Sequence, residues 1–302
     1  MSISFEGQVA IVTGAGTGLG RSHALQLAQR GARVVVNDLG GSVDGTGGSL
    51  SAAEQVVKEI TDAGGQAMAN GANVTDEAQV ADMVAQVMDQ WGRIDVLINN
   101  AGILRDKSFA KMEGDNWRAV VDVHLNGSAY CSLAVWPIMR EQGYGRIVMT
   151  TSTSGIYGNF GQANYGAAKT GVVGLMNTLH IEGAKYNIHV NCISPTAATR
   201  MTEDLLPEQA LKLLSPEHVT PAVLFLASEN GPSRTIMLAG AGCYTVAKLM
   251  EADGIYLPHD QRNPESIAER FDEICDLSAA REILDGNEHV TRIVEKAMAQ
   301  QS

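Results

Sequence analysis

The chain has 302 residues, 45% apolar and 19% charged, which is too apolar for a disordered polymer and enough for one large core or two small ones. With 34 acids against 22 bases the net charge is −12, a field that disfavours nucleic acid and anionic lipid, and no stretch reaches the roughly 18 apolar residues of a membrane span. Glycine is in excess at 32, against about 21 expected from average usage, so part of the backbone must turn tightly or be approached closely.

In chain order, VAIVTG at 9–14 predicts a buried strand meeting a glycine turn, and the segment after Gly18 predicts a helix that Gly31 stops. A second strand follows at 32–38, ending in Asp38, and together these form a βαβ unit. The glycine-rich stretch 40–49 has no periodicity and reads as a loop before a helix from about Ser51. Strands are then expected at 66–69, 94–100, 146–150, 188–195 and 235–240, separated by helices at 76–91, 116–140 and 165–184. Seven strands alternating with helices predict an α/β fold: a doubly wound, seven-stranded parallel sheet of Rossmann type with helices on both faces.

Residues 1–249 are read as the dinucleotide-binding and catalytic domain, and 250–302 as a C-terminal helical extension packed on it. Asn263-Pro264-Glu265 looks like a helix start, with Ile267, Phe271 and Ile274 on one stripe. The extension has 12 acids and 5 bases, so it holds −7 of the −12. Cys131, Cys192, Cys243 and Cys275 are far apart with no Cys-x-x-Cys unit, which predicts neither zinc nor dithiol chemistry, and no metal. With an N-terminus lacking a basic leader and signal-length apolar run, they predict a cytoplasmic protein.

TGAGTGLG at 13–20 places Gly14, Gly18 and Gly20 between strand and helix, where backbone N–H groups and the helix N-terminus can face a pyrophosphate. Asp38, 24 residues beyond Gly14, can accept from both ribose hydroxyls and would repel a 2′-phosphate, which favours NAD over NADP; the alternative is a turn cap. Asn99, Asn100, Ala101 and Gly102 close a strand with small or amide groups that can tie strand ends together and admit a cofactor. Tyr165 and Lys169, four apart, share a helix face, so an ammonium can act on the phenol, while Ser152 at a strand end can donate to the same substrate oxygen.

These motifs, TGAGTGLG, NNAG, Ser152 and YGAAK at 165–169, resemble the short-chain dehydrogenase/reductase family in order and in kind over residues 7–245. The resemblance implies a catalytic set of Ser152, Tyr165 and Lys169, in which Tyr165 exchanges the substrate proton, Ser152 holds the oxygen, and Lys169 binds the nicotinamide ribose and lowers the Tyr165 pKa. It also implies cofactor contacts from Gly14, Thr17, Gly18, Leu19, Gly20, Asp38, Asn73, Val74, Asn100, Ala101, Gly102, Tyr165, Lys169 and Pro195. One position departs from the family: seven residues after Trp117, where an Asn often holds a relay water, stands His124, which either carries the relay or packs against backbone.

More narrowly, NDLGG at 37–41, ILRDKSF at 103–109, SGIYGNFGQANYGAAK at 154–169, NIHVNCISPTAATRMT at 187–202 and RFDEICDLS at 270–278 resemble the (3R)-hydroxyacyl-CoA dehydrogenase branch found in peroxisomal multifunctional enzymes of type 2. The implied reaction is NAD-dependent oxidation of a (3R)-3-hydroxyacyl-CoA to the 3-oxoacyl-CoA, within fatty acid metabolism. A steroid or other small secondary alcohol is the alternative substrate, and a catalytically silent nucleotide-binding scaffold the distant one. The chain ends in AQS, without a small-basic-leucine address. Segment 196–207, with Leu205 and Leu206, is expected to be a lid or a structural loop-helix. The apolar helix with Val172, Val173, Leu175 and Met176 suggests pairing as a homodimer, a tetramer being the other assembly the family uses.

Overall fold

The structure, a computed structural model, describes residues 2–42, 44–47, 49–197 and 213–300. The expected lid therefore lies outside the described residues from 198 onward. The chain divides into two compact units, Met1–Val246 and Ala247–Ser302.

In the first unit β1 (Val9–Thr13), β2 (Arg33–Asn37), β3 (Gln66–Asn70), β4 (Val96–Asn99), β5 (Gly145–Thr150), β6 (Ile188–Pro195), β7 (Ile236–Gly240) and β8 (Cys243–Ala247) form one sheet in the order β3-β2-β1-β4-β5-β6-β7-β8. The pairs from β3 through β7 are parallel, with Ile11 opposite both Val35 and Leu97. Every residue of β1 and β5 is buried, as strands covered on both faces must be. On one face α1 (Gly18–Gln29) packs against Ala10, Val12, Val34 and Val148 in a core that Val223 and Leu226 also join. The chain winds outward from β1 through β2 to β3, then returns to β4 on the other side of β1. Between β1 and β4 the strand ends part, and a crevice opens there.

The sheet has eight strands, one more than the sequence reading. β8 follows β7 through Ala241 and Gly242, both at positive φ (51° and 76°), the two-residue I′ geometry that folds a strand back antiparallel on its neighbour. Its side chains from Cys243 to Val246 are exposed, so no buried apolar run marks it. The helix expected over 116–140 is interrupted: α4 (Gly114–Val121) passes through a π-helical turn at Asp122–Asn126 into α5 (Gly127–Gln142). A short helix, α6 (Thr153–Ile156), precedes α7 (Ala163–Gly183). On α7 Val172, Val173 and Met176 are buried in the core and are no exposed pairing face; among the large apolar side chains Leu133 and Ile181 are the exposed ones of α5 and α7.

In the second unit Met250–Glu251 pairs antiparallel with Arg281–Glu282. Asn263 accepts from the Ser266 N–H (2.8 Å) and Pro264 opens the helix as expected, but that helix stops at Glu269. A separate turn covers Phe271–Ile274, and Ile267 and Phe271 are exposed, so the expected single stripe is broken. A 14-residue helix, Gly286–Ala299, was not predicted. Its start carries a reciprocal cap: Asp285 accepts from the N–H groups of Asn287 and Glu288, and Glu288 accepts from the Leu284 N–H. The helix is tied back by Arg292 to Glu251 (2.6 Å) and Asp253 (2.7 Å), and by Lys296 to Asp253 (2.6 Å).

Candidate active site

At the β1–β4 crevice the two small-residue motifs hold each other. Asn100 donates through Nδ2 to the carbonyls of Thr13 (2.9 Å) and Gly14 (3.0 Å), while Thr13 Oγ1 accepts from the N–H groups of Asn100 and Ala101 (3.0 and 3.1 Å). Gly14 has φ 62°, and a Cβ there would sit 2.8 Å from Ala101 Cα; one on Gly20 would sit 2.2 Å from the Gly14 carbonyl oxygen. These contacts allow glycine alone. The first turn of α1 contains no acid, so its positive end is not neutralised locally.

A cavity of about 750 Å³ opens over this turn. Of the expected cofactor contacts, Gly14, Thr17, Gly18, Leu19, Asp38, Asn73, Val74, Asn100, Ala101, Gly102 and Pro195 line it; Gly20 does not, because it packs beneath Gly14. Asp38 accepts from the N–H groups of Gly16 and Gly40 (both 2.7 Å) while lining the cavity, so it holds the turn and faces the ligand space together. Asp44 meets the opposite wall, where Arg105 Nε donates to its carbonyl (2.9 Å). Hydrogen bonds from Ser42 and Thr46 hold the Asp44 carboxyl at about 2.

Ser152, Tyr165 and Lys169 line the same cavity. Ser152 caps α6 by accepting from the Ser154 N–H (3.1 Å) and shares a hydrogen bond with the Tyr165 phenol. Gly155 lets α6 lie against α7: a Cβ on it would fall 2.9 Å from Lys169 Cβ. Lys169 is buried, its Nζ donates to the Thr150 carbonyl (2.5 Å), and it lies 5.5 Å from the Tyr165 ring centre. Burial pulls Lys169 down to about 7. Burial also pushes the Tyr165 phenol above its ordinary 10; the Ser152 hydrogen bond opposes this and the Asp106 charge adds to it.

His124 sits in the π-helical turn and is buried, its ring edge-on to Tyr165 with centroids 5.0 Å apart. Nε2 lies 3.1 Å from the Ile103 nitrogen and 2.8 Å from the Ile103 oxygen, and a Cβ on Gly102 would strike the ring at 2.4 Å. Desolvation first, then the Lys169 charge, hold its pKa well below 6.5, so the ring is neutral near pH 7. The ring is thus bonded to backbone, and its buried Nδ1 has no hydrogen-bond partner among the described residues. Asn126, two residues on, is turned away and donates to Asp122 (2.8 Å).

The rest of the wall comes from the segment after Gly102 and from residues 154–163. Gln162 donates to Asp106 (2.7 Å) and accepts from Ser154 (2.7 Å) and Asn159 (3.0 Å), and Arg105, Asp106, Asn159 and Gln162 all line the cavity. Their signal was present in the ILRDKSF and YGNFGQ stretches, but what they bind depends on two loops meeting at the Lys107–Gln162 bridge. Among the described residues no cluster of three or more His, Cys, Asp or Glu is placed to hold a metal ion, and no helix is long and apolar enough to cross a membrane.

A glycine turn at a sheet switch point, joined in one cavity to a Ser–Tyr–Lys set, is the arrangement of a dinucleotide-dependent oxidoreductase. Residues 8–210 match the family described as short chain dehydrogenase, and the chain belongs to that family. It is 50% identical over 275 residues to a Mycobacterium tuberculosis protein of short-chain dehydrogenase/reductase type, covering 91% of this chain and 96% of that one. It is 47% identical over 299 residues to the peroxisomal multifunctional enzyme type 2 of Mus musculus, covering 97% of this chain and 40% of the mouse enzyme. The solved full-length peroxisomal multifunctional enzyme type 2 of Drosophila melanogaster superposes with a TM-score of 0.81 at 38% identity, over 97% of this chain and 50% of that one. The cytoplasmic expectation finds no counterpart in the last two names.

Proposed function

We propose that the chain catalyses NAD-dependent oxidation of a (3R)-3-hydroxyacyl-CoA to the 3-oxoacyl-CoA. The observation that carries this is the meeting of Ser152, Tyr165 and Lys169 with the glycine turn and Asp38 in one cavity; the likeness to the multifunctional enzymes supports the acyl-CoA class. The cavity fits a dinucleotide, since it is lined by a helix N-terminus without a local acid and by the Asp38 carboxylate, which would accept from a ribose hydroxyl. NAD is favoured over NADP because the bases that precede Asp38 in sequence are engaged elsewhere: Arg33 donates to the Gly7 carbonyl (2.9 Å), Arg30 to the Ile3 carbonyl (2.9 Å), and Arg21 pairs with Glu59.

When bound, NAD supplies the hydride acceptor. Ser152 and Tyr165 hold the substrate hydroxyl between their oxygens. As the C3–H bond breaks, Tyr165 in its phenolate form takes the hydroxyl proton, and the oxygen, now a carbonyl, keeps its hydrogen bonds to Ser152 and Tyr165. Lys169, anchored on Thr150, would hold the nicotinamide ribose, and the His124 ring lies edge-on to Tyr165. The test is NADH formation, followed by absorbance, with (3R)- and (3S)-hydroxyacyl-CoA of several chain lengths. Turnover of the 3R series supports the assignment; turnover of a steroid or simple secondary alcohol with none of either thioester would replace it.

A further inference from the structure

An acyl-CoA carries several phosphate charges, and the chain's own charge is −12. The segment 105–111, whose first two residues line the cavity, departs from that balance. Between residues 105 and 111 stand three bases, Arg105, Lys107 and Lys111, against one acid, Asp106, whose carboxylate accepts from Gln162 Nε2 (2.7 Å). Lys107 and Lys111 are exposed, and their ammonium groups have no hydrogen-bond or ion-pair partner among the described residues. Arg105 uses Nε on the Asp44 carbonyl and lines the cavity.

Two phenyl rings accompany these charges. Phe109 lies between the two lysines and is 74% exposed; Phe160, on the facing segment, is 91% exposed. The segments are fastened side by side, the Lys107 N–H donating to the Gly161 carbonyl (2.9 Å) and Asn164 Nδ2 to the Arg105 carbonyl (3.1 Å). Folding gains nothing from holding two phenyl rings in water, and exposed aromatic side chains on the same joined segments as unpartnered cations suit an adenine nucleotide: a flat base to stack and phosphates to neutralise.

We propose that this rim receives the 3′-phospho-ADP end of a coenzyme A thioester, its phosphates against Arg105, Lys107 and Lys111 and its adenine against Phe109 and Phe160. The pantetheine arm then runs inward along Gln162 to Tyr165, both of which line the cavity. The inference rests on the acyl-CoA reading above and names the part of the substrate that the acidic chain must recognise locally.

The experiment compares kcat/KM for a 3-hydroxyacyl-CoA and for the same acyl group on pantetheine, which lacks the nucleotide. The wild-type protein is expected to prefer the CoA thioester by about tenfold or more at low salt, with the preference shrinking as salt rises. Lys107→Ala/Lys111→Ala and, separately, Phe109→Ser/Phe160→Ser are expected to cut that ratio at least about threefold. Because the ratio is internal to each protein, general loss of folded enzyme cancels. An unchanged ratio in both variants overturns the rim while leaving the reaction class standing. Turnover of neither thioester by the wild-type protein overturns both.

Discussion

Tyr165 stands under opposing demands: the reaction needs its proton to leave, while burial pushes its pKa up and Ser152 alone among its hydrogen-bond partners draws it down. Oxidation by the proposed mechanism should therefore quicken toward alkaline pH, because the base form of Tyr165 becomes more populated as pH rises. Replacing Ser152→Ala removes the lowering influence as well as a hydrogen bond to the substrate oxygen. The variant should lose roughly 100-fold or more in kcat/KM, and the pH at which its rate levels off should move upward; a pH–rate profile measures both. A plateau at the wild-type pH would remove Ser152 from the control of Tyr165. The four-residue spacing of Tyr165 and Lys169 made their common face legible in the sequence. The seating of Lys169 on the Thr150 carbonyl was not, because it depends on a strand end meeting the helix; for His124 the sequence left relay and backbone packing both open, and its bond to Ile103 joins residues 21 apart.

Elements buried on both faces were the readable ones. β1, β5 and β6 are apolar runs ending in turn residues, and their observed bounds lie within a residue or two of those expected. β8 and the helix Gly286–Ala299 were missed for opposite reasons: β8 exposes most of its side chains, and the helix is held chiefly by ion pairs to Glu251 and Asp253 some forty residues earlier. α1 shows how an element can carry a pH response. His23 is buried on it, hydrogen-bonded to Thr220 (2.8 Å), and desolvation lowers its pKa to about 3. Between pH 6.5 and 3 the unfolded histidine binds a proton and the folded one does not, so this part of the stability is present above pH 6.5 and is lost as pH falls toward 3. The loss should approach about 1.4 kcal/mol per pH unit within that window. Urea unfolding across pH 3–7 should show a shallower slope in His23→Gln, whatever its stability at pH 7; an equal slope would assign acid sensitivity to other groups.

At the scale of the molecule, residues 250–302 hold −7 of the −12, so overall acidity says little about the mouth of the cavity. Leu133 and Ile181 leave apolar surface on α5 and α7, and we expect a homodimer, measured as a two-chain mass by light scattering; a dominant single-chain or four-chain mass would reject it. The π-helical turn Asp122–Asn126 has a consequence at this scale too. A five-residue hydrogen-bond step takes in one residue more than the α-helical step on either side, and one residue is about 100° of helical rotation. α4 and α5 are thus out of phase by that angle; Val120 before the turn and Cys131 and Val135 after it are buried, and His124 in the turn lines the cavity. Deleting one residue there would mend the helix and misalign it: either His124 or the buried face of α4 would have to rotate out of place. The surplus residue acts as a phase shifter, and the length of this stretch is constrained as tightly as the identity of any side chain in it.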